Sequence, residues 1–255
     1  MLNMIEHPAP RPVDQPPLVI VHGLYGSARN WSVIAKRLSD ERRVIAVDQR
    51  NHGLSPWEDS HSYPDMAADL SEVIETLGAP VDVLGHSMGG KAAMTLALTR
   101  PELVNRLIVA DIAPVAYGHS QIQYIEAMRQ VDLSRIAKRS DATEQLSRTV
   151  EDPTLISFFT QSLDVKERRW RLNLDTLARD MELILGFPEI EGQFTGPTLF
   201  LSGALSDYVK REDRDLIKKL FPAAKFFKIP NAGHWLHAER PREFEAAVRH
   251  WLNAT

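Results

Sequence analysis

The sequence predicts an α/β protein in which one mostly parallel sheet is covered by helices on both faces, with a helical lobe inserted late in the order. Three observations carry this. Short continuous apolar runs alternate with helix-patterned stretches through the first half, the alternation stops over 115–190, and it resumes at Pro197.

The lead-in MLNMIEHPAPRPVDQPP is polar and proline-rich and lacks the cationic start and apolar core of a secretory signal, so a disordered segment is expected there. LVIVHG (18–23) reads as a buried strand running into a glycine loop, and NWSVIAKRLSD (30–40) as a helix. RVIAVDQ (43–49) is the second strand. YPDMAADLSEVIETLG (63–78) is a helix closed by Gly78, where a residue free to turn left-handed ends the spiral. VDVLGH (81–86), a helix over 91–102 and RLIVADIAP (106–114) continue the pattern. Unbroken Val/Ile/Leu runs are what strands buried on both faces require.

Over 115–190 only helical patterns are legible, QIQYIEAMRQ, DATEQLSRTV, PTLISFFTQSL and LDTLARDMELILGF. Strands and helices then return as PTLFLSG (197–203), REDRDLIKKLF (211–221), KFFKIP (225–230) and a last amphipathic helix, PREFEAAVRHWLN (241–253). The expected organisation is a core of residues 1–114 and 191–255 with a cap of residues 115–190.

Bulk properties narrow the function. The 255 residues suffice for one sizeable core, and 44% apolar with 25% charged residues is an ordinary globular balance. A net charge of -4 gives no reason to expect nucleic acid or an anionic membrane as partner. The chain has no cysteine, which removes disulfides, thiolate metal sites and a thiol nucleophile. Its longest apolar runs are too short to cross a bilayer, so no stable membrane association and a cytoplasmic location are expected.

The chemistry centres on Gly85-His-Ser-Met-Gly89, a G-x-S-x-G sequence between a strand and a helix. Such a corner is a nucleophile elbow: the strained turn pushes the Ser87 hydroxyl into a cleft, and glycines flank it because side chains there would strike neighbouring backbone. A serine hydroxyl needs a base. His234, in NAGHW after the strand KFFKIP, lies on the same carboxyl edge of the sheet as Ser87, where ligands of open α/β sheets bind. His22, His52 and His86 also end strands and read as hydrogen bonders that shape loops; His7, His61, His119, His237 and His250 read as surface or supporting residues. An oxyanion needs two backbone donors, expected from Met88 and from Leu24 in HGLYGS.

With HGLYGS (22–27), VDQRNHGLSP (47–56), YPDMAADL (63–70), GHSMGGKAAM (85–94), DIAPV (111–115) and AGHWLHAE (232–239) in view, the chain resembles the α/β-hydrolases over nearly its whole length, and within them the YbfF-type bacterial esterases. The resemblance implies carboxylesterase or acyl thioesterase activity, no cofactor and a mobile helical cap. It carries the nucleophile onto Ser87 and the base onto His234. For the acid it leaves three arrangements: Asp111 after the strand RLIVAD, which is preferred; Asp207, one position later than the usual slot after PTLFLSG; and an arrangement assisted by Ser206, which occupies that slot.

The expected partner is a small acyl ester or thioester. Tyr25, Tyr208 and Trp235, beside the catalytic loops, are the expected substrate contacts, and the lobe contributes Tyr117, Tyr124, Met128, Phe158, Phe159, Trp170, Met181 and Phe187, most of them as packing. Basic side chains of the lobe either meet the phosphates of a coenzyme A thioester or form a solvated face. A carbon–carbon bond hydrolase or cofactor-free haloperoxidase uses the same three residue types, and a non-catalytic ligand receptor uses the same fold. Dehalogenases and epoxide hydrolases are set aside because their nucleophile is a carboxylate where this chain has Ser87.

Overall fold

The computed structural model describes residues 1–11, 13–78 and 80–254; Pro12, Ala79 and Thr255 lie outside the described residues. Among the described residues nine strands occur in chain order: β1 (Met4–His7), β2 (Leu18–Val21), β3 (Val44–Val47), β4 (Val81–His86), β5 (Val104–Ala110), β6 (Leu163–Asp164), β7 (Arg169–Trp170), β8 (Thr198–Gly203) and β9 (Ala224–Ile229). The helices are α1 (Ser32–Leu38), α2 (Tyr63–Leu77), α3 (Met88–Thr99), α4 (Ile122–Arg129), α5 (Arg139–Leu146), α6 (Pro153–Gln161), α7 (Leu174–Arg179), α8 (Met181–Leu185), α9 (Arg214–Leu220), α10 (Leu236–Glu239) and α11 (Pro241–Asn253).

Seven strands form one sheet in the order β1-β3-β2-β4-β5-β8-β9, parallel throughout except for β1, which pairs antiparallel with β3. Every residue of β2, β3, β4 and β8 is buried. The two-residue period of a strand divides them between two cores. Leu18 and Ile20 pack with Ile34, Trp31, Phe244 and Val248 beneath α1 and α11, while Val19 and Val21 pack with Leu70, Val73, Ala93 and Leu96 of α2 and α3 on the opposite face. Strand order reverses about β2 and β4, and the crevice at their carboxyl ends is where such sheets bind ligands.

Local signals account for the helix ends. The Ser62 hydroxyl accepts from Asp65 N–H at the start of α2, Pro64 occupies the first turn, and Gly78 closes it at φ 78°. α11 spans the amphipathic stretch read from the sequence, burying Phe244, Val248, Trp251 and Leu252.

Two expectations are corrected. The lead-in is ordered at its start: Met4–His7 adds an edge strand, and Asn3 Nδ2 donates 2.8 Å to Asp48. Proline density hid a four-residue strand whose stabilisation is long-range. The inserted segment is not purely helical, since Leu163–Asp164 pairs antiparallel with Arg169–Trp170; a two-residue ribbon is too short to impose a hydrophobic period.

Candidate active site

Ser87 sits between β4 and α3 at φ 52° and ψ −122°, a conformation costly for a residue with a side chain. The surrounding structure over-determines it. Ser87 N–H donates to Ala110 O at 3.0 Å, and its carbonyl accepts from Gly90 and Lys91 at 2.8 and 3.1 Å. A Cβ at Gly85 would collide with the Gly89 carbonyl, and one at Gly89 with the backbone of Val21 and His22, so both flanking glycines are required for close approach.

His234 Nε2 lies 3.1 Å from Ser87 Oγ, and its Nδ1 lies 2.8 Å from Asp111 Oδ2. A carboxylate only accepts, so Nδ1 carries the proton and the Nε2 lone pair faces the serine hydroxyl. Asp111 follows β5 at φ 52° and is wholly buried. Its charge is met by Gly203 N–H at 3.0 Å and by the Ser206 hydroxyl at 2.5 Å. Asp207 is exposed and makes no hydrogen bond to the imidazole. Of the three arrangements expected for the acid, the structure brings Asp111 and Ser206 together at the imidazole, Asp111 accepting from both, and leaves Asp207 away from it.

The imidazole is held from three sides. Tyr208 stacks on it with centroids 3.9 Å apart and planes 20° from parallel. His86 Nε2–H donates to the His234 carbonyl at 2.9 Å. Glu239, one turn into the following helix, accepts from Gly233 N–H at 2.7 Å and Trp235 N–H at 3.3 Å.

The glycine loop after β2 is built by two buried histidines. His22 Nδ1–H donates to Gly23 O at 2.8 Å and its Nε2 accepts from Gln49 N–H at 3.0 Å. His52 Nδ1–H donates to Arg50 O at 2.9 Å and its Nε2 accepts from Tyr25 N–H at 3.2 Å, holding Tyr25 at φ 63°. These tautomers follow from the carbonyl partners, and burial lowers the pKa of both rings, keeping them neutral. The Leu24 N–H between them has no acceptor among the described residues, and Met88 N–H is a first-turn donor of α3. Leu24, Met88, Ser87 and His234 all border one cavity of about 270 Å³.

Tyr25, Tyr208 and Trp235 line that cavity. Tyr25 also ties core to lobe, its hydroxyl donating to Gln121 O at 2.9 Å and its carbonyl accepting from Ser162 at 3.0 Å. Of the lobe aromatics, Tyr117, Tyr124, Phe158 and Phe159 reach the cavity, whereas Trp170 is buried with its indole N–H on Met128 O at 2.9 Å. More of them face the cavity than the packing rule led one to expect.

Several contributors were not legible as such. Asp48 accepts from Ala28 N–H at 2.7 Å and Leu54 N–H at 2.9 Å, joining the glycine loop to the NHGLSP loop; a Cβ at Gly53, at φ 61°, would run into its carboxylate. His61, read from the sequence as surface or supporting, is fully buried, with Nε2 3.3 Å from Met88 Sδ behind the elbow. Lys91, one turn beyond Ser87, is buried and borders the cavity. Its place in the GHSMGGK run was the available signal.

Fold and site together define a serine hydrolase built on a nucleophile elbow. The chain belongs to the α/β-hydrolase family, whose pattern it matches over residues 16–241. It is 42% identical over 248 residues to the sn-1-specific diacylglycerol lipase ABHD11 of Mus musculus, covering 93% of this chain and 81% of that one. It is 36% identical to the esterase YbfF of Escherichia coli over 99% of both chains. An esterase from a marine microorganism superposes with a TM-score of 0.92 at 40% identity, covering 98% of each chain. The protein is an enzyme of the esterase/lipase kind. Among the described residues no helix is long and apolar enough to cross a membrane.

Proposed function

We propose that the protein is a serine carboxylesterase for small to medium acyl esters, acting through an acyl-serine intermediate on Ser87. The observation that carries this is the continuous chain Ser87–His234–Asp111, with contacts of 3.1 and 2.8 Å, opening onto a largely apolar cavity. Residues 1–114 and 191–255 form the catalytic core in this reading, and residues 115–190 the cap that covers the acyl group.

Ser87 Oγ attacks the ester carbonyl as its proton passes to His234 Nε2, and the imidazolium so formed is stabilised by Asp111. The carbonyl oxygen, now negative, is held by the Leu24 and Met88 amides, each worth about 2.7–4 kcal/mol in the transition state. When the C–O bond breaks, His234 returns the proton to the departing alkoxide, leaving alcohol and acyl-Ser87. Water then adds to the acyl carbon, again losing a proton to His234, and the free acid leaves with Ser87 restored. Every proton moves through one imidazole, so no cofactor enters.

Oxygen esters are preferred to coenzyme A thioesters in this reading because the relatives are named as esterases and a lipase. The test is hydrolysis of p-nitrophenyl esters from C2 to C16 beside acyl-CoA thioesters, with Ser87→Ala as control and fluorophosphonate labelling of Ser87. A burst of p-nitrophenol from Ser87→Ala would remove the acyl-serine step. Thioesters outpacing every ester would overturn the substrate class.

A further inference from the structure

Lys91 takes no part in that reaction, yet it is buried to 1% exposure in the cavity wall, one helical turn and about 6 Å along α3 beyond the nucleophile. A buried ammonium normally has an anionic partner. Lys91 forms no salt bridge among the described residues. Its Nζ donates to the carbonyls of Leu185 at 2.8 Å and Gly186 at 2.5 Å, the last turn of α8, where the helix dipole is negative. Two aromatic faces complete its surroundings, Tyr117 from the loop after β5 at 4.7 Å and Tyr63 from α2 at 5.7 Å.

Three successive carbonyls at the end of α8, those of Ile184, Leu185 and Gly186, are gripped by side chains. Tyr63 Oη donates to Ile184 O at 2.5 Å, and Leu185 O also accepts Tyr117 N–H at 3.0 Å. Ile184 and Leu185 in turn line the cavity. The ammonium therefore does two things at once. It ties the Ile184–Leu185 wall of the cavity to the elbow helix, and it sets a cationic group in the lining of the cavity that an acyl chain would enter.

We propose that Lys91 is the residue that determines acyl-chain length, its charged form latching α8 and excluding longer chains, its neutral form admitting them. The inference rests on the esterase reading above and names the position that limits that activity. The groups facing Lys91 are the Tyr63 and Tyr117 phenols and the two α8 carbonyls, none of them anionic near neutrality: burial raises the pKa of both phenols, keeping them protonated. Desolvation without a counterion lowers the Lys91 pKa to about 7, so both forms are accessible in the neutral range. Below that pH the wall is latched and cationic; above it the amine keeps weaker hydrogen bonds and loses its charge.

The test is the ratio of kcat/KM for a p-nitrophenyl decanoate to that for the butyrate, measured from pH 5.5 to 9 in the wild type, Lys91→Met and Lys91→Arg. Both esters use the same imidazole, so its titration cancels in the ratio. In the wild type the ratio is expected to rise through pH 7 by at least about fourfold, the worth of one methylene newly admitted to apolar surroundings. In Lys91→Met it is expected to be high and flat, and in Lys91→Arg low and flat, with the change carried by KM for the decanoate. A wild-type ratio that does not change with pH overturns the proposal even if neither variant folds. A ratio in Lys91→Met that still follows pH like the wild type overturns it too. If the wild type hydrolyses neither ester, it is the esterase reading that has failed.

Discussion

Ser206 Oγ donates to Asp111 Oδ2 at 2.5 Å, and that same oxygen receives the His234 Nδ1–H at 2.8 Å. A carboxylate at the end of β5 and a hydroxyl after β8 therefore converge on one imidazole. The two positions are 95 residues apart in the chain and adjacent because β5 and β8 are neighbours in the sheet.

Asp111→Asn is expected to lower kcat by about 10⁴ with little change in KM, because the amide stabilises the wrong imidazole tautomer and cannot balance the imidazolium. Asp207→Asn is expected to match the wild type within about twofold, its side chain being exposed and away from the ring. Steady-state kinetics on one p-nitrophenyl ester decide between them. Equal activity of Asp111→Asn and the wild type would remove Asp111 from the reaction.

Ser206→Ala separates support from chemistry. The hydroxyl neither touches substrate nor moves a proton; it satisfies a buried charge. Its loss is expected to cost about 1.5–3 kcal/mol of unfolding free energy in urea, the range for a hydrogen bond to an ionised group. kcat is expected to fall about tenfold, equivalent to ~1.4 kcal/mol in the barrier and far short of the loss in Asp111→Asn. A kcat loss as deep as that of Asp111→Asn would make Ser206 part of the proton path.

Much of this was readable because the responsible signals are local. The elbow announces itself as two glycines around Ser87, α2 as a helical pattern closed by Gly78, and the buried strands as unbroken apolar runs. What stayed hidden depends on pairing across the chain. β1 is invisible until β3 lies beside it, and Glu239 looks like a surface residue until its carboxylate is found on the Gly233 and Trp235 amides. The acid was undecided for the same reason: a one-residue offset at Asp207 cannot be weighed against Asp111 without knowing that β5 and β8 are neighbours.

Tyr208 was expected from the sequence as a substrate contact, and it borders the cavity, but its closest partner is the imidazole at 3.9 Å between centroids. Its hydroxyl meets His119 Nε2 at 2.8 Å, outside the stack. Tyr208→Phe is therefore expected to keep kcat within about threefold. Tyr208→Ala, which leaves His234 free to tilt, is expected to lower kcat roughly 10²-fold, the scale set by ångström misplacement of a reacting group. A selective rise in KM in the alanine variant, with kcat intact, would return Tyr208 to a purely substrate-binding role.

Acid stability tests the buried histidines. Burial, reinforced by Arg50, lowers the His61 pKa to about 3, against an unfolded value near 6.5. Between those values the unfolded chain binds a proton that the folded chain refuses, so stability falls as pH drops through that window and is undiminished above it. Each such ring contributes a slope of about 1.4 kcal/mol per pH unit where the difference is one full proton. His22, His52 and His86 are lowered by burial in the same direction, so urea unfolding between pH 7 and 5 is expected to show a slope of several protons. His61→Gln keeps polar atoms beside Asn51 and Met88 and removes one titrating ring. It is expected to reduce the slope by about one proton while leaving the plateau above pH 7 lower by a constant amount. An unchanged slope would mean that His61 is charged in the folded enzyme.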